Sequence, residues 1–420
     1  MVYKKIFVYA DWEELGRPIL LGYLFVDVLR GKEVFSFEYT DEWLQSDYLY
    51  NLDPDIGFYS GIQYLSNDKT NFGLFLDSSP DRWGRLLMKR RESILAKIEK
   101  RTMHILRESD FLLGVFDLHR MGALRFKLDP EGDFLDNNAD FSAPPWTSIR
   151  DLEYASLELE KSLDQDNPEL LKWINILMAP GSSLGGARPK ASIRDLSNAL
   201  WIAKFPSKDD LINIGAWEMV ANDLANQSGI NIAESLIKQF NSKHHTFLTK
   251  RFDRTSNGGR LHFSSAMTLL GYNDGVDAAD GVSYLELAEF IIQYGSRVKD
   301  DLQELFKRIV FSIAISNTDD HLRNHGFLLT KNGWVLSPAY DLNPNQYGMG
   351  LKLNISEDDN SLDFDLALSV ASYFRLSDND AVAIIDNTKS IVSNWRTVAS
   401  KYGISSSEQD LMRLAFKVGN

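Results

Sequence analysis

Asp319 and Asn324 stand five residues apart in NTDDHLRNHGFLL, and a further aspartate, Asp341, comes later in WVLSPAYDL. This set suits one kind of chemistry. A first carboxylate orients or deprotonates an attacking hydroxyl, while an amide oxygen and a second carboxylate hold a hard cation against phosphate oxygens. Magnesium takes one or two such ligands from protein and completes its octahedron with phosphate and water. A helix cap and a polar loop would account for Asp319 to Asn324, but not for a second carboxylate in frame beyond a hairpin. Immediately before the cluster runs LFKRIVFSIAIS, apolar enough for a buried helix that would anchor the polar loop. Asn332-Gly333 marks a tight turn between Asn324 and Asp341.

Upstream segments extend the pattern. ALWIAKFPS reads as a strand ending in Lys204. A lysine at a strand end is commonly just exposed. Lys204, however, stands after a glycine loop and before the Asp319 segment, the order in which protein kinases place the lysine that contacts the α and β phosphates. The glycine loop is GSSLGGARPKAS, 181–192. Gly185, Gly186 and Ala187 would let backbone amides approach phosphate, and Arg188 and Lys190 add positive charge. It is not a Walker A loop, because Ala187 stands where that motif has lysine; a plain Gly/Ser turn is the alternative. Glu218, in the helical NIGAWEMVANDLANQSG, either pairs with Lys204 or is simply exposed. KRFDR falls where a hinge between lobes would bring Arg251 and Phe252 to a nucleotide base, although Phe252 also fits a core. Kinase catalytic loops share the Asp-to-Asn spacing, but their histidine precedes the aspartate by two residues, whereas His321 comes two residues after Asp319.

The chain has 420 residues, 44% apolar and 25% charged, which allows two or three packed units and excludes wholesale disorder. With no cysteine, disulfides, thiolate metal sites and cysteine nucleophiles are excluded, and a cytoplasmic location is permitted and expected. The first residues lack an apolar stretch long enough for a signal peptide, and no run reaches the ~18 apolar residues of a membrane helix. A net charge of −14 repels nucleic acid unless a local patch overrides it. The one dense basic segment, RWGRLLMKRRESILAKIEKR, reads better as a solvated helix face than as a nucleic-acid surface. Strand-like alternation in KKIFVYAD, ILLGYLFVDV and EVFSFEY gives way to helix from Pro80, and DPEGDFLDNNADFSAPPW, 129–146, is the best candidate boundary. IRDLEYASLELEKSL comes next as a helix, then two short strands around a polar turn; beyond about 257 the pattern is mostly helical.

Taken together, SSLGGARPKA, WIAKFP, KRFDR, NTDDHLRNHGFLL and LSPAYDL resemble the HipA family, serine/threonine kinases that act as toxins of bacterial toxin–antitoxin systems. FLDSSPDRWGRLLMKRRE and LLGVFDLHRMGALRF resemble its N-terminal subdomain, so the resemblance covers nearly the whole chain. It implies an α+β, bilobal protein-kinase-like fold with an extra N-terminal α/β subdomain at 1–128, a smaller lobe at 129–256 and a mainly helical lobe at 257–420. It implies ATP and Mg2+ as cofactors. Asp319 would be the catalytic aspartate, with His321 and Arg323 in its loop, Asn324 and Asp341 the metal ligands and Lys204 the phosphate lysine. Ser183 matches the family's autophosphorylated, self-inhibiting serine, with Ser182 as a duplicate acceptor. The implied partners are a small helix-turn-helix antitoxin, through which alone DNA would be met, and a protein substrate, in some members an aminoacyl-tRNA synthetase. A small-molecule kinase, or a pseudokinase serving as an antitoxin-binding scaffold, are the rival readings.

Overall fold

Alternation with a period of two puts Ile6, Val8 and Ala10 on one face of the first strand, and all three are fully buried in the computed structural model. The structure describes residues 4–65, 69–138, 144–161, 169–178 and 188–418. Strands β1 (Lys4–Ala10), β2 (Ile19–Leu29), β3 (Lys32–Tyr39), β4 (Gln63–Tyr64) and β5 (Leu124–Lys127) form one antiparallel sheet in the order β4-β3-β2-β1-β5. The three alternating segments of the sequence are thus its central strands. No helix of the described residues is long and apolar enough to cross a membrane.

The chain divides into two units, residues 1–209 with 250–264, and residues 210–249 with 265–420. In the first, helix α1 (Arg82–Ile98) opens on Asp81, whose carboxylate accepts the Gly84 amide at 2.8 Å. Three of the basic residues of α1 turn to the protein, while Arg82, Lys89 and Lys97 are exposed: Arg85 pairs with Glu108, Arg90 donates to the Leu159 carbonyl and Arg91 to Asn175. Helices α2 (Ile149–Lys161) and α3 (Glu169–Leu177) precede the hairpin of β6 (Lys190–Arg194) and β7 (Leu200–Lys204). In its turn, Asp195 accepts from the amides of Ser197 and Ala199 and from the Trp201 indole.

The second unit is mostly helical. It holds α4 (Ile214–Gln227), the hairpin of β8 (Ser235–Gln239) and β9 (His245–Lys250), α5 (Tyr284–Tyr294), α6 (Val298–Ala314), α7 (Asp378–Val392) and α8 (Trp395–Lys401). Its core joins Trp217 of α4, Phe311 and Ala314 of α6, Trp395 of α8, Phe416, and Ala339 and Leu342 near Asp341. β10 (Gly326–Thr330) and β11 (Gly333–Leu336) pair from Phe327↔Leu336 to Thr330↔Gly333. The turn is therefore Lys331-Asn332, one residue earlier than the Asn-Gly signal suggests. Gly333 instead serves a close approach: at φ +120° its Cα faces the Tyr294 carbonyl, where a Cβ would sit 2.7 Å away.

Candidate functional site

Helix α6 ends in an all-round buried run, Arg308 to Ala314, because its last two turns are enclosed by the core of the second unit. Its polar residues grip the β10–β11 hairpin. Asp301 accepts the Leu336 amide at 3.0 Å, and Arg308 donates to the Ser337 carbonyl at 2.6 Å while pairing with Glu304. The hairpin is thereby pinned along the helix, and the chain leaves α6 through Ser316, a non-glycine residue at φ 49°.

The loop after α6 places two neighbouring aspartates oppositely. Asp319 is exposed and Asp320 is 3% exposed. The main-chain carbonyl of Asp319 accepts both the His321 amide at 2.9 Å and Asn324 Nδ2 at 3.0 Å. Asn324 is itself buried, and its Oδ1 has no hydrogen-bond partner. An amide oxygen left bare in a buried position is costly unless something electropositive meets it. Tyr340 donates its hydroxyl to the Arg323 carbonyl at 2.7 Å, and Arg323 lies 3.5 Å from Asp274. Asp341 sits at φ 59°, another left-handed non-glycine residue, and its Oδ1 accepts Asn343 Nδ2 at 3.2 Å. Asn343 N in turn donates to Asn317 Oδ1 at 3.3 Å, and Asn345 Nδ2 to the Thr318 hydroxyl at 2.7 Å. The Asp341 loop therefore lies against the Asp319 loop. Gly348 completes the fit, since any Cβ there would strike the Thr318 side chain.

Beneath these loops is a polar cluster that sequence reasoning missed. Asp320 Oδ2 accepts the Tyr284 hydroxyl at 2.7 Å and the Ser312 hydroxyl at 3.2 Å, and Oδ1 lies 3.1 Å from His325 Nε2. Burial pushes the Asp320 carboxyl up, but His325 and the Tyr284 hydroxyl outweigh it and hold it below the usual carboxylate range. Tyr284 carries the reciprocal effect, its phenol raised by burial and by the Asp320 charge. Among the described residues no three or more His, Asp or Glu side chains group as a metal site.

The other candidate residues, Glu218 apart, belong to the first unit. Lys204 closes β7 opposite Lys190, and is half-buried. Lys190 is 2% exposed, with its ammonium 2.7 Å from Asp81. Arg251 is buried too; it grips Asp253 with two nitrogens, at 2.8 and 2.6 Å, and donates to the carbonyls of His119 and Arg120. Burial pushes the Asp253 carboxyl up, yet Arg251 and Arg254 outweigh it and hold it at about 2. Asp253 also accepts the Gly122 amide at 2.9 Å, so KRFDR staples the HRMG segment within this unit. Phe252 packs on Phe263 with ring centroids 6.0 Å apart. Arg188 is described and partly buried; Gly185, Gly186, Ala187, Ser182 and Ser183 lie outside the described residues. Glu218 is buried in α4 of the second unit.

A family model, the HipA-like C-terminal domain, matches residues 182–395, just over half of the chain. A protein of Haemophilus influenzae named "Putative kinase" is 28% identical over 181 residues, covering 38% of this chain and 52% of that protein. The chain thus spans about half the length of this curated relative. Among solved structures, HipA of Shewanella oneidensis MR-1, determined with HipB and operator DNA, superposes with a TM-score of 0.65 at 17% identity, over 98% of this chain and 94% of that one. The Helicobacter pylori proinflammatory kinase CtkA gives a TM-score of 0.36 at 15% identity, over 54% of this chain and 94% of that one. The likeness to the Shewanella protein shows the fold, α+β and kinase-like. By the match over 182–395, the chain belongs to the HipA-like C-terminal domain family.

Proposed function

We propose that this chain is a serine/threonine protein kinase of HipA type, dependent on ATP and Mg2+ and acting as the toxin of a toxin–antitoxin pair. The observation that carries the reading is Asn324. Its Nδ2 is committed to the Asp319 carbonyl, which turns the bare Oδ1 into a fixed, buried acceptor. A cation is the natural occupant of such a position, and an amide plus the Asp341 carboxylate is the sparse protein set that magnesium accepts when phosphates and water complete it.

Bound ATP with its metal would supply the phosphoryl group and neutralise the charge that develops on transfer. The chain's own residues do the rest. Asp319, exposed but with its backbone held from two sides, would receive the proton of the acceptor hydroxyl. Asn324 and Asp341 would hold the metal, and Lys204, assigned by its motif, would hold the α and β phosphates. His321 and Arg323 shape the loop, Arg323 through its carbonyl bond from Tyr340. The motif resemblance and family membership extend the proposal to autophosphorylation at Ser183 or Ser182 as a self-limiting step. They extend it also to a protein substrate in translation and a helix-turn-helix antitoxin, in keeping with the HipA structure that contains HipB and operator DNA.

Purified protein incubated with labelled ATP, with Mg2+ or with EDTA, and then mapped by mass spectrometry tests this directly. Expected is Mg2+-dependent phosphate on the 181–188 peptide and on added protein substrates. Absence of both ATP binding and phosphate transfer in the presence of Mg2+ would overturn it.

A further inference from the structure

Asp320 costs the fold a buried carboxylate at a place where an apolar side chain would pack. The groups it holds explain its presence. Ser312 donates its only proton to Asp320 and accepts Asn317 Nδ2 at 3.4 Å. Asn317 Oδ1 accepts the Asn343 amide at 3.3 Å, and Asn343 Nδ2 reaches Asp341 at 3.2 Å. The donors all run one way, from Asp341's neighbour inward to Asp320, and the carboxylate is the terminal acceptor. Tyr284 at 2.7 Å and His325 at 3.1 Å fix that carboxylate from the far side.

Backbone conformation gives a second, independent observation. Ser316 and Asp341 both sit in the left-handed region, at φ 49° and 59°, which non-glycine residues hold only where their surroundings impose it. The relay spans the space between them. Its members come from α5, α6, the Asp319 loop and the Asp341 loop, four segments that no single backbone ladder joins.

We infer that Asp320, acting through Ser312 and Asn317, is a positioning residue that sets the Asp341 loop in register with the Asp319 loop. The inference rests on the kinase reading for its effect on rate, but its structural half does not. A geometry error of about 1 Å between reacting groups, or loss of a hydrogen-bond partner behind a metal ligand, costs on the order of 10- to 100-fold in rate or metal affinity.

Asp320→Asn removes the charge and replaces one of the two acceptor oxygens with an NH2 donor, set either against His325 Nε2 or against the Tyr284 and Ser312 hydroxyls. It should lower kcat by about 10- to 100-fold and raise the Mg2+ concentration required, with the KM for a protein substrate changed less than about threefold. Ser312→Ala, which cuts the relay while leaving Asp320 bonded to Tyr284, should act in the same direction. The double variant should then be no slower than Asp320→Asn alone. Hydrogen exchange in the full-length protein without nucleotide is the companion measurement: the Asn343 amide should lose protection in both single variants. A purely structural carboxylate would lower the melting temperature without changing kcat of the folded protein, and would leave Asn343 protected in Ser312→Ala. That outcome, or multiplying effects in the double variant, overturns the inference. Should the unaltered protein transfer no phosphate, the kinase reading fails and the exchange measurement still decides the relay. Should Asp320→Asn not fold, Ser312→Ala carries both readouts.

Discussion

Lys190 would neighbour phosphate if the glycine loop were read as one electropositive surface, yet its ammonium lies 2.7 Å from Asp81 with the two side chains 2% and 4% exposed. Removing either partner should therefore act on stability, and the size can be worked out. In Asp81→Ala the helix loses its cap to Gly84, worth about 1 kcal/mol, and a buried ammonium loses its carboxylate, worth about 3–5 kcal/mol. The sum, about 4–6 kcal/mol, is a large part of the ~5–15 kcal/mol that a folded domain has. Lys190→Met keeps the cap but takes the paired cation from a buried carboxylate, at about 3–5 kcal/mol. Asp81→Asn with Lys190→Met keeps a good cap, removes both charges and leaves a methionine of similar length. It should return to within about 1 kcal/mol of the unaltered protein, a coupling of several kcal/mol. The pairing across β6 and β7 adds to the expectation: Lys190 stands opposite Lys204 on one face of the ladder, where like charges repel, and Asp81 offsets that repulsion. Urea unfolding monitored by tryptophan fluorescence measures the stabilities, and nucleotide titration of the double variant measures the ligand. Two results refute the reasoning: a Lys190→Met cost under about 1 kcal/mol, or a stable double variant that binds ATP tenfold or more weakly.

Asp319→Asn should abolish phosphotransfer with the fold intact, whereas Asp341→Asn should chiefly raise the Mg2+ requirement, both read in the labelled-ATP assay. Ser183→Ala should keep the kinase active through prolonged ATP incubation, with Ser182 taking residual phosphate; peptide mapping shows which serine carries it. His262 is buried, its ring centroid 5.3 Å from that of Trp12, and burial pushes it down to about 3. Because the folded state holds it neutral, its contribution is complete above the unfolded value near 6.5 and lost as pH falls toward 3, at a limiting slope of about 1.4 kcal/mol per pH unit. Unfolding midpoints from pH 7 to 4 should show that slope, and His262→Phe should flatten it.

The elements of the fold were readable because burial leaves a period in the sequence. Ile6, Val8 and Ala10 alternate, the last turns of α6 are buried all round and mostly apolar, and Asp81 caps a helix that begins where the pattern changes. The site was readable only along the chain. Asp319, Asn324 and Asp341 announce themselves by local spacing, but the partners that fix them do not: Tyr284 lies 36 residues from Asp320, and Asp81 lies 109 from Lys190. A cation near a glycine loop looks the same in sequence whether it faces a ligand or a buried carboxylate. KRFDR shows the same difficulty, since Arg251 meets carbonyls more than 130 residues upstream.

The adjacent pair Asp319-Asp320 is the sharpest case. Two identical side chains in one loop have opposite surroundings, one exposed and one 3% exposed, and local composition does not distinguish them. The distinction is made by α5 and α6, which present Tyr284 and Ser312 as donors to the second aspartate only. Once Asp320 is fixed as a buried anion, held charged by His325 and the Tyr284 hydroxyl, the backbone on either side of it has little freedom. Asp319 is then directed outward, and Asn324 folds back onto its carbonyl. A reactive carboxylate needs an accessible side chain on a rigid backbone, and the buried neighbour supplies the rigidity that an exposed residue cannot supply for itself.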